Sequence, residues 1–281
     1  MQLDEDMVRM SLLDHLDELR GRILRALAGI GVAFLICVTF TDELWRIVSQ
    51  PSVAAMAQLG LHEKLVFTTP MEAFSTVWVK LPLLASLFIA SPWVLYQLWA
   101  FIAPGLYRNE RRWAAPFVIC TAGLFVAGGL FSYFVAFRYS LAFLVGIGQN
   151  LDLQPMLTIS EYFDLFINVT LGIGFVFELP ALLFLLTLLH VVSPAFLWRN
   201  SRYAVIGLAL IAAVVSPTQD VASLALLLVP MCALYFAGVF ASYGVVFYRE
   251  GRSVPRKKLV MWIAIVSLLA SGATDMYIAL R

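Results

Sequence analysis

Long apolar runs separated by short polar stretches organise this chain. The polar opening gives way to a continuous hydrophobic run near Ile23. Ahead of that point Leu12, Leu13, Leu16, Leu19 and Ile23 recur at three- and four-residue spacing, while Asp14, Asp17, Glu18, Arg20 and Arg22 occupy the other side. This periodicity predicts a short amphipathic helix over residues 9–22 lying on a membrane surface with its charges in water. Residues 23–40 follow as a first span, just long enough for a hydrocarbon core of about 30 Å at about 1.5 Å per residue.

Five further runs read as spans: residues 74–98, 113–137, 163–190, 203–215 and 221–246. Residues 41–73 are too polar to cross and are expected to form short helices on the outer surface. Residues 138–160 make a second external segment, and 191–200 a cytoplasmic turn. The fifth run has thirteen residues, which reach only about 20 Å as a helix, so the bilayer should thin beside it. The 216–220 stretch, SPTQD, is long enough only for a tight turn. A last apolar run, 259–273, follows a basic cluster and is short for a span. It reads as a seventh span, an interfacial helix or a helix on a partner. The expected organisation is a six-helix membrane domain over 1–250 and a basic tail with an extra apolar segment over 251–281.

Composition supports the same class. Of 281 residues, 62% are hydrophobic and 13% charged, against about half and a quarter in soluble domains. Continuous apolar runs exclude a transmembrane barrel, whose strands alternate. The fold class is therefore all-α and polytopic. Lys and Arg fix the orientation: fourteen fall in the N-terminal stretch, the 108–112 loop, the 199–202 turn and the tail to Lys258, against three (Arg46, Lys64 and Arg138) in the opposite loops. That asymmetry places the N-terminus in the cytoplasm. A net charge of +1 gives no basic footprint for nucleic acid. Cys37, Cys120 and Cys232 stand far apart in apolar runs and read as small packing residues.

The polar exceptions are the candidate chemistry. Glu178 sits near the middle of the fourth run, where a carboxylate costs about 2.5–3.5 kcal/mol to insert and should face protein or water. Pro180 follows it and bends the helix. Glu178 reads either as a structural hydrogen-bonding group, with Lys80 as a possible partner, or as a polar docking point for another helix. Lys80 lies a turn or two into the second span and can snorkel outward. Asp220 reads as a cap of the sixth span. Trp93, Tyr96, Trp99 and Tyr107 mark a helix leaving the membrane, Pro104 and Gly105 end it, and Arg108, Glu110, Arg111 and Arg112 follow. Glu18 and Glu110, both cytoplasmic and both beside arginines, are singly ordinary surface charges, and Glu18 has Arg22 four residues on. Together they could receive two guanidinium groups in the planar geometry that an ammonium cannot copy.

Four stretches carry a family resemblance: HLDELR at 15–20, TTPMEAF at 68–74 with Lys80 beyond it, WVLYQLWAFIAPGLYRNERR at 93–112, and FELP at 177–180. In this order they resemble the TatC family, the multi-spanning subunit of the twin-arginine protein translocase, over roughly residues 8–250. The resemblance implies a receptor and translocase core that exports folded proteins using the proton motive force. It implies a site for Arg-Arg signal peptides at Glu18 and Glu110, shaped by Arg20, Phe101 and Pro104. It also implies contacts with single-span TatA- and TatB-like subunits at Glu178, Ser216, Asp220 and Ser223, self-association, and a place in a bacterial inner membrane. One departure stands out: the family's D-x-x-S-Q turn here continues Asp220-Val-Ala-Ser223-Leu224. The missing glutamine weakens the transfer of that polar cluster beyond Ser216 and Ser223.

No GxxxxGK[ST], GxSxG or HExxH pattern occurs, and His15, His62 and His190 lie in different regions. We expect no cofactor, no metal site and no enzymatic chemistry. The alternative function is a proton- or ion-coupled secondary transporter of small solutes, with Glu178, Lys80 and Asp220 as the ion path.

Overall fold

A computed structural model describes residues 12–58, 65–103, 114–149, 157–216 and 220–249. These residues are helical apart from connecting turns and one isolated parallel bridge, Val66 to Thr158. Five helices are long and apolar enough to cross a membrane: Leu13–Thr39, Pro70–Ile102, Ala115–Leu144, Ile159–Leu188 and Ser223–Gly244. Ser201–Val215 is a sixth, shorter apolar helix. The apolar run at 259–273 lies outside the described residues. The chain divides into two compact units, Met1–Gly174 and Phe175–Arg281.

In the first unit, α1 (Leu12–Thr39) merges the expected surface helix and first span into one rod of 28 residues, about 42 Å long. Only polarity changes near Ile23. No proline or capping residue breaks the chain there, so the helix continues. After Phe40, α2 (Thr41–Gln58) begins with Asp42 and Glu43 in its first turn, where acids complement the helix dipole. It carries Pro51 in its interior. Proline has no N–H for the carbonyl four residues back, which here belongs to Ile47. The Tyr133 hydroxyl donates to that carbonyl at 2.7 Å, and Tyr162 donates to the next one, Val48, at 2.5 Å. Tyr133 thus satisfies the carbonyl that Pro51 leaves open, and the two tyrosines fasten α2 to later helices.

The second crossing starts earlier than expected. Helix α3 (Pro70–Phe74) opens with a capping box between Thr69 and Glu72. It passes through a π-helical turn (Ser75–Lys80) into α4 (Leu81–Ile102). The wide turn lies directly ahead of Pro82, and the Leu81 N–H reaches back to the Thr76 carbonyl. The third crossing also runs longer. Helix α5 (Ala114–Phe131), a π turn (Ser132–Ala136) and α6 (Phe137–Gln149) follow without a break. Residues 138–149, expected as external connection, therefore extend that helix.

Helix α7 (Ile159–Phe177) is joined to the second crossing by a polar row. Glu72 accepts from the backbone N–H of Thr68 at 2.7 Å and of Ser160 at 3.2 Å, and from the Thr68 hydroxyl. Thr76 meets Ser160 at 3.4 Å, and Lys80 Nζ donates to Asp164 at 2.6 Å. Positions 72, 76 and 80 are one turn apart, as are 160 and 164, so two helix faces zip together. Deeper, the hydroxyls of Ser132 and Thr170 pair at 3.1 Å. The aromatic core of this unit includes Phe137, Tyr162, Phe163 and Trp99, all fully buried. Cys37 is buried as expected, whereas Cys120 is exposed.

In the second unit, α8 (Leu179–Leu188) begins after Glu178. His190, with φ 59°, turns the chain into the short α9 (Pro194–Arg199), which Ser193 caps through the Phe196 N–H at 3.2 Å. Helix α10 (Ser201–Val215) has 15 residues, about 22 Å against a hydrocarbon thickness of about 30 Å. Helix α11 (Val221–Arg249) is a 29-residue rod containing Pro230. It packs against α8 at Gly238, where an added Cβ would lie 2.7 Å from Pro180 Cα. Small residues of this kind let helix backbones approach in membranes.

Candidate functional site

Near the start of α1 and the end of α4, the end expected to face the cytoplasm, the two helices run side by side in opposite directions. His15 stacks on Phe101, with ring centroids 4.5 Å apart and planes at 14°. One turn on, Glu18 Oε1 accepts from Arg22 at 3.2 Å, and Arg22 also donates to Gln97 at 3.4 Å. Further along, Trp93 Nε1 donates to the Arg25 carbonyl at 2.9 Å, and its ring covers Gly29. The face opposite Glu18 is thus Gln97 and Phe101, the last turns of α4.

This small polar pocket is incompletely paired. Glu18 Oε2 and Arg22 Nε are both buried without a hydrogen-bond partner among the described residues. A buried carboxylate oxygen in that condition is costly. Its open lone pairs suit a guanidinium donor, which can engage both oxygens of a carboxylate.

The structure brings Glu18 and Phe101 together here. Arg20 is on α1 but exposed, two residues from each member of the part-buried Glu18–Arg22 pair. Pro104 and Glu110 lie outside the described residues. His15 and Gln97 are additions that sequence reasoning passed over. The available signals were a histidine at the head of the amphipathic stretch and a lone amide inside an apolar helix. Trp99 departs from the interface reading. It is 2% exposed and packs on Phe117 at 4.6 Å, because its face of α4 turns inward.

The second candidate region belongs to the other unit. Glu178 precedes α8 as its N-cap residue but makes no capping hydrogen bond with its side chain. Its backbone carbonyl accepts from Leu182 at 2.9 Å. Pro180 withholds the N–H that would serve the Val176 carbonyl, so the break expected from FELP is real. The half-buried carboxylate has one buried oxygen, Oε1, with no partner among the described residues. The suggested partner, Lys80, is instead bonded to Asp164. Lys80 lies ten residues into the helix that opens at Pro70 and Asp164 five residues into α7, and both side chains are half-exposed where the two helices meet.

Asp220 caps α11. Its carboxylate accepts from the Ser223 N–H at 2.8 Å and from the Ser223 hydroxyl at 2.5 Å, the expected side-chain cap geometry. Ser216 ends α10 and is buried. Ser216 thus closes α10 and Asp220 with Ser223 opens α11; residues 217–219 between them lie outside the described residues.

Comparison with known proteins gives a consistent result. The family described as Sec-independent protein translocase protein (TatC) matches residues 14–230. Relatives carrying the same description are 41% identical over 234 residues in Koribacter versatilis, covering 83% of this chain and 85% of the relative. In Desulforapulum autotrophicum the identity is 36% over 222 residues, 79% and 80% of the two chains. A crystal structure of the twin arginine translocase receptor TatC in DDM superposes with a TM-score of 0.70 at 29% identity, covering 81% of this chain and 99% of that one. The chain, a multi-pass membrane protein, belongs to the TatC family of Sec-independent protein translocase proteins.

Proposed function

We propose that this chain is the receptor and core subunit of a twin-arginine translocase in a bacterial inner membrane. Its cytoplasmic pocket takes the paired arginines of a signal peptide, and folded cargo is exported at the expense of the proton motive force. The observation that carries this reading is the buried, unpartnered Glu18 Oε2 beside Gln97 and the His15–Phe101 stack. That group sits at the end of α4, from which the stretch carrying Pro104 and Glu110 departs. Glu18 and Glu110 would each take one guanidinium, with Arg20, Phe101 and Pro104 shaping the site. TatA- and TatB-like single-span helices would dock at Glu178 and at the Ser216–Asp220–Ser223 connection. Copies of the chain would associate in the active assembly. The process makes and breaks no covalent bond in the cargo, so the chain acts as a receptor and not as an enzyme.

The transporter alternative needs a relay through Glu178, Lys80 and Asp220. Lys80 is bonded to Asp164, and Asp220 is spent on Ser223. Both have local structural work, which favours the receptor reading. The test is export of a folded fluorescent reporter with a twin-arginine signal, in cells lacking their own TatC and supplied with this chain and its single-span partners. Export that stops when Arg-Arg becomes Lys-Lys is expected. Export indifferent to that change, or substrate-coupled proton uptake by the chain alone in liposomes, would overturn the reading.

A further inference from the structure

Helices α9, α10 and α11 enclose an open cleft of about 500 Å3 lined by Phe196, Leu197, Asn200, Tyr203, Ala204 and Tyr235. That volume lies within the usual range of small-ligand sites, about 300–1,000 Å3. The polar groups of its walls are turned to its own backbone: Tyr235 donates to the Leu197 carbonyl at 2.9 Å, and the Asn200 amide to the Phe196 carbonyl at 3.1 Å. What remains is an apolar, aromatic recess.

The rim is cationic. Arg199 and Arg202 are exposed at the junction of α9 and α10. The Arg202 guanidinium lies 4.7 Å from the Tyr203 ring centroid and gives one N–H to its hydroxyl at 3.0 Å. No Asp or Glu occurs between Glu178 and Asp220, and Asp220 caps α11 at the other end of α10. Neither salt bridge among the described residues involves Arg199 or Arg202. Arg202 therefore sits at the mouth of an apolar recess through its contact with Tyr203, and Arg199 is exposed three residues before it, next to the lining residue Asn200 in the chain, on the side where the distribution of basic residues puts the cytoplasm. The described acids of this unit are Glu178 and Asp220, and neither forms a salt bridge with the two arginines; Glu250 and Asp275 lie outside the described residues.

We propose that this cleft binds an anionic phospholipid of the cytoplasmic leaflet, its acyl chain in the recess and its phosphate on Arg199 and Arg202. Guanidinium matches phosphate geometrically, basic pockets between membrane helices hold anionic headgroups, and a tyrosine at the mouth suits the interface. The site is separate from the signal-peptide pocket and does not depend on it.

The test is native mass spectrometry of the detergent-purified full chain titrated with dioleoyl phosphatidylglycerol or dioleoyl phosphatidylcholine. We expect phosphatidylglycerol to bind preferentially, and R199Q/R202Q to weaken it about 25-fold, roughly fivefold for each basic group, with phosphatidylcholine unaffected. Ala204→Phe should fill the recess and lower phosphatidylglycerol binding several-fold with both arginines present, while Ala204→Ser keeps it. Equal binding of the two lipids, or undiminished phosphatidylglycerol binding by R199Q/R202Q, would overturn the proposal. So would inorganic phosphate competing as well as the lipid. Loss in R199Q/R202Q with none in Ala204→Phe would also overturn it, leaving surface headgroup attraction and a cleft covered by a protein helix.

Discussion

Replacing Gly238 by alanine adds one methyl group at the closest approach of α8 and α11. The new Cβ would stand 2.7 Å from Pro180 Cα, 3.1 Å from Leu183 Cδ1 and 3.2 Å from the Pro180 carbonyl oxygen. Carbon atoms rest about 3.5–4.0 Å apart, so the two backbones must separate by about 1 Å. Two of those three atoms are backbone, and no side-chain rotation relieves them. Overpacking of this kind costs about 1–3 kcal/mol, offset in part by the better helix propensity of alanine, about 0.8–1 kcal/mol. The net expectation is a loss of about 0–2 kcal/mol, and so a deficit of about 1–3 kcal/mol against a glycine-to-alanine change that meets no neighbour. Gly244 lies on the same helix with nothing within 4 Å of its added Cβ, so Gly244→Ala should show only the propensity gain. Reversible unfolding in mixed micelles, followed by tryptophan fluorescence, would compare the two variants with the parent chain. Equal stability of Gly238→Ala and Gly244→Ala would refute the close-packing argument.

Other expectations follow from named contacts. Tyr133→Phe removes the donor that satisfies the Ile47 carbonyl and should cost about 1 kcal/mol; Pro51→Ala restores a backbone donor there, so the cost should shrink in that background. Glu178→Ala should leave Arg-Arg peptide affinity unchanged but weaken co-purification of the single-span partners, and equal loss of both would reduce Glu178 to a structural role. Arg22→Gln should raise peptide affinity about twofold by releasing Glu18 from an ion pair worth about 0.3–0.5 kcal/mol, as read by fluorescence anisotropy; a tenfold loss would mean that Arg22 positions Glu18 for binding.

Much of the architecture was legible because a bilayer imposes length and polarity on every crossing. Six runs, the break at Glu178–Pro180 and the Asp220 cap all follow from local rules. The misreadings share a cause as well. Helix ends were placed where polarity changed, at Ile23, Phe74 and Phe137, but the backbone continues wherever no residue stops it, so α1, α3 and α6 run past those points. Partners distant in sequence were invisible. Lys80 and Asp164 are 84 residues apart, and Tyr133, which serves the Pro51 break, is 86 residues from Ile47. At the cytoplasmic pocket, the chemistry of Glu18 could be read from its neighbours. Its Gln97 wall could not, because a lone amide in an apolar helix gives no sign of which helix it faces.

The central claim is that a carboxylate at Glu18, acting with Glu110, reads paired arginines. The most direct measurement is binding of a fluorescent twin-arginine signal peptide to the full chain in nanodiscs, beside a Lys-Lys copy and the Glu18→Ala/Glu110→Ala variant. The account predicts a preference for Arg-Arg that disappears in the double variant. Binding that does not distinguish Arg-Arg from Lys-Lys, with the single-span partners present, would contradict it.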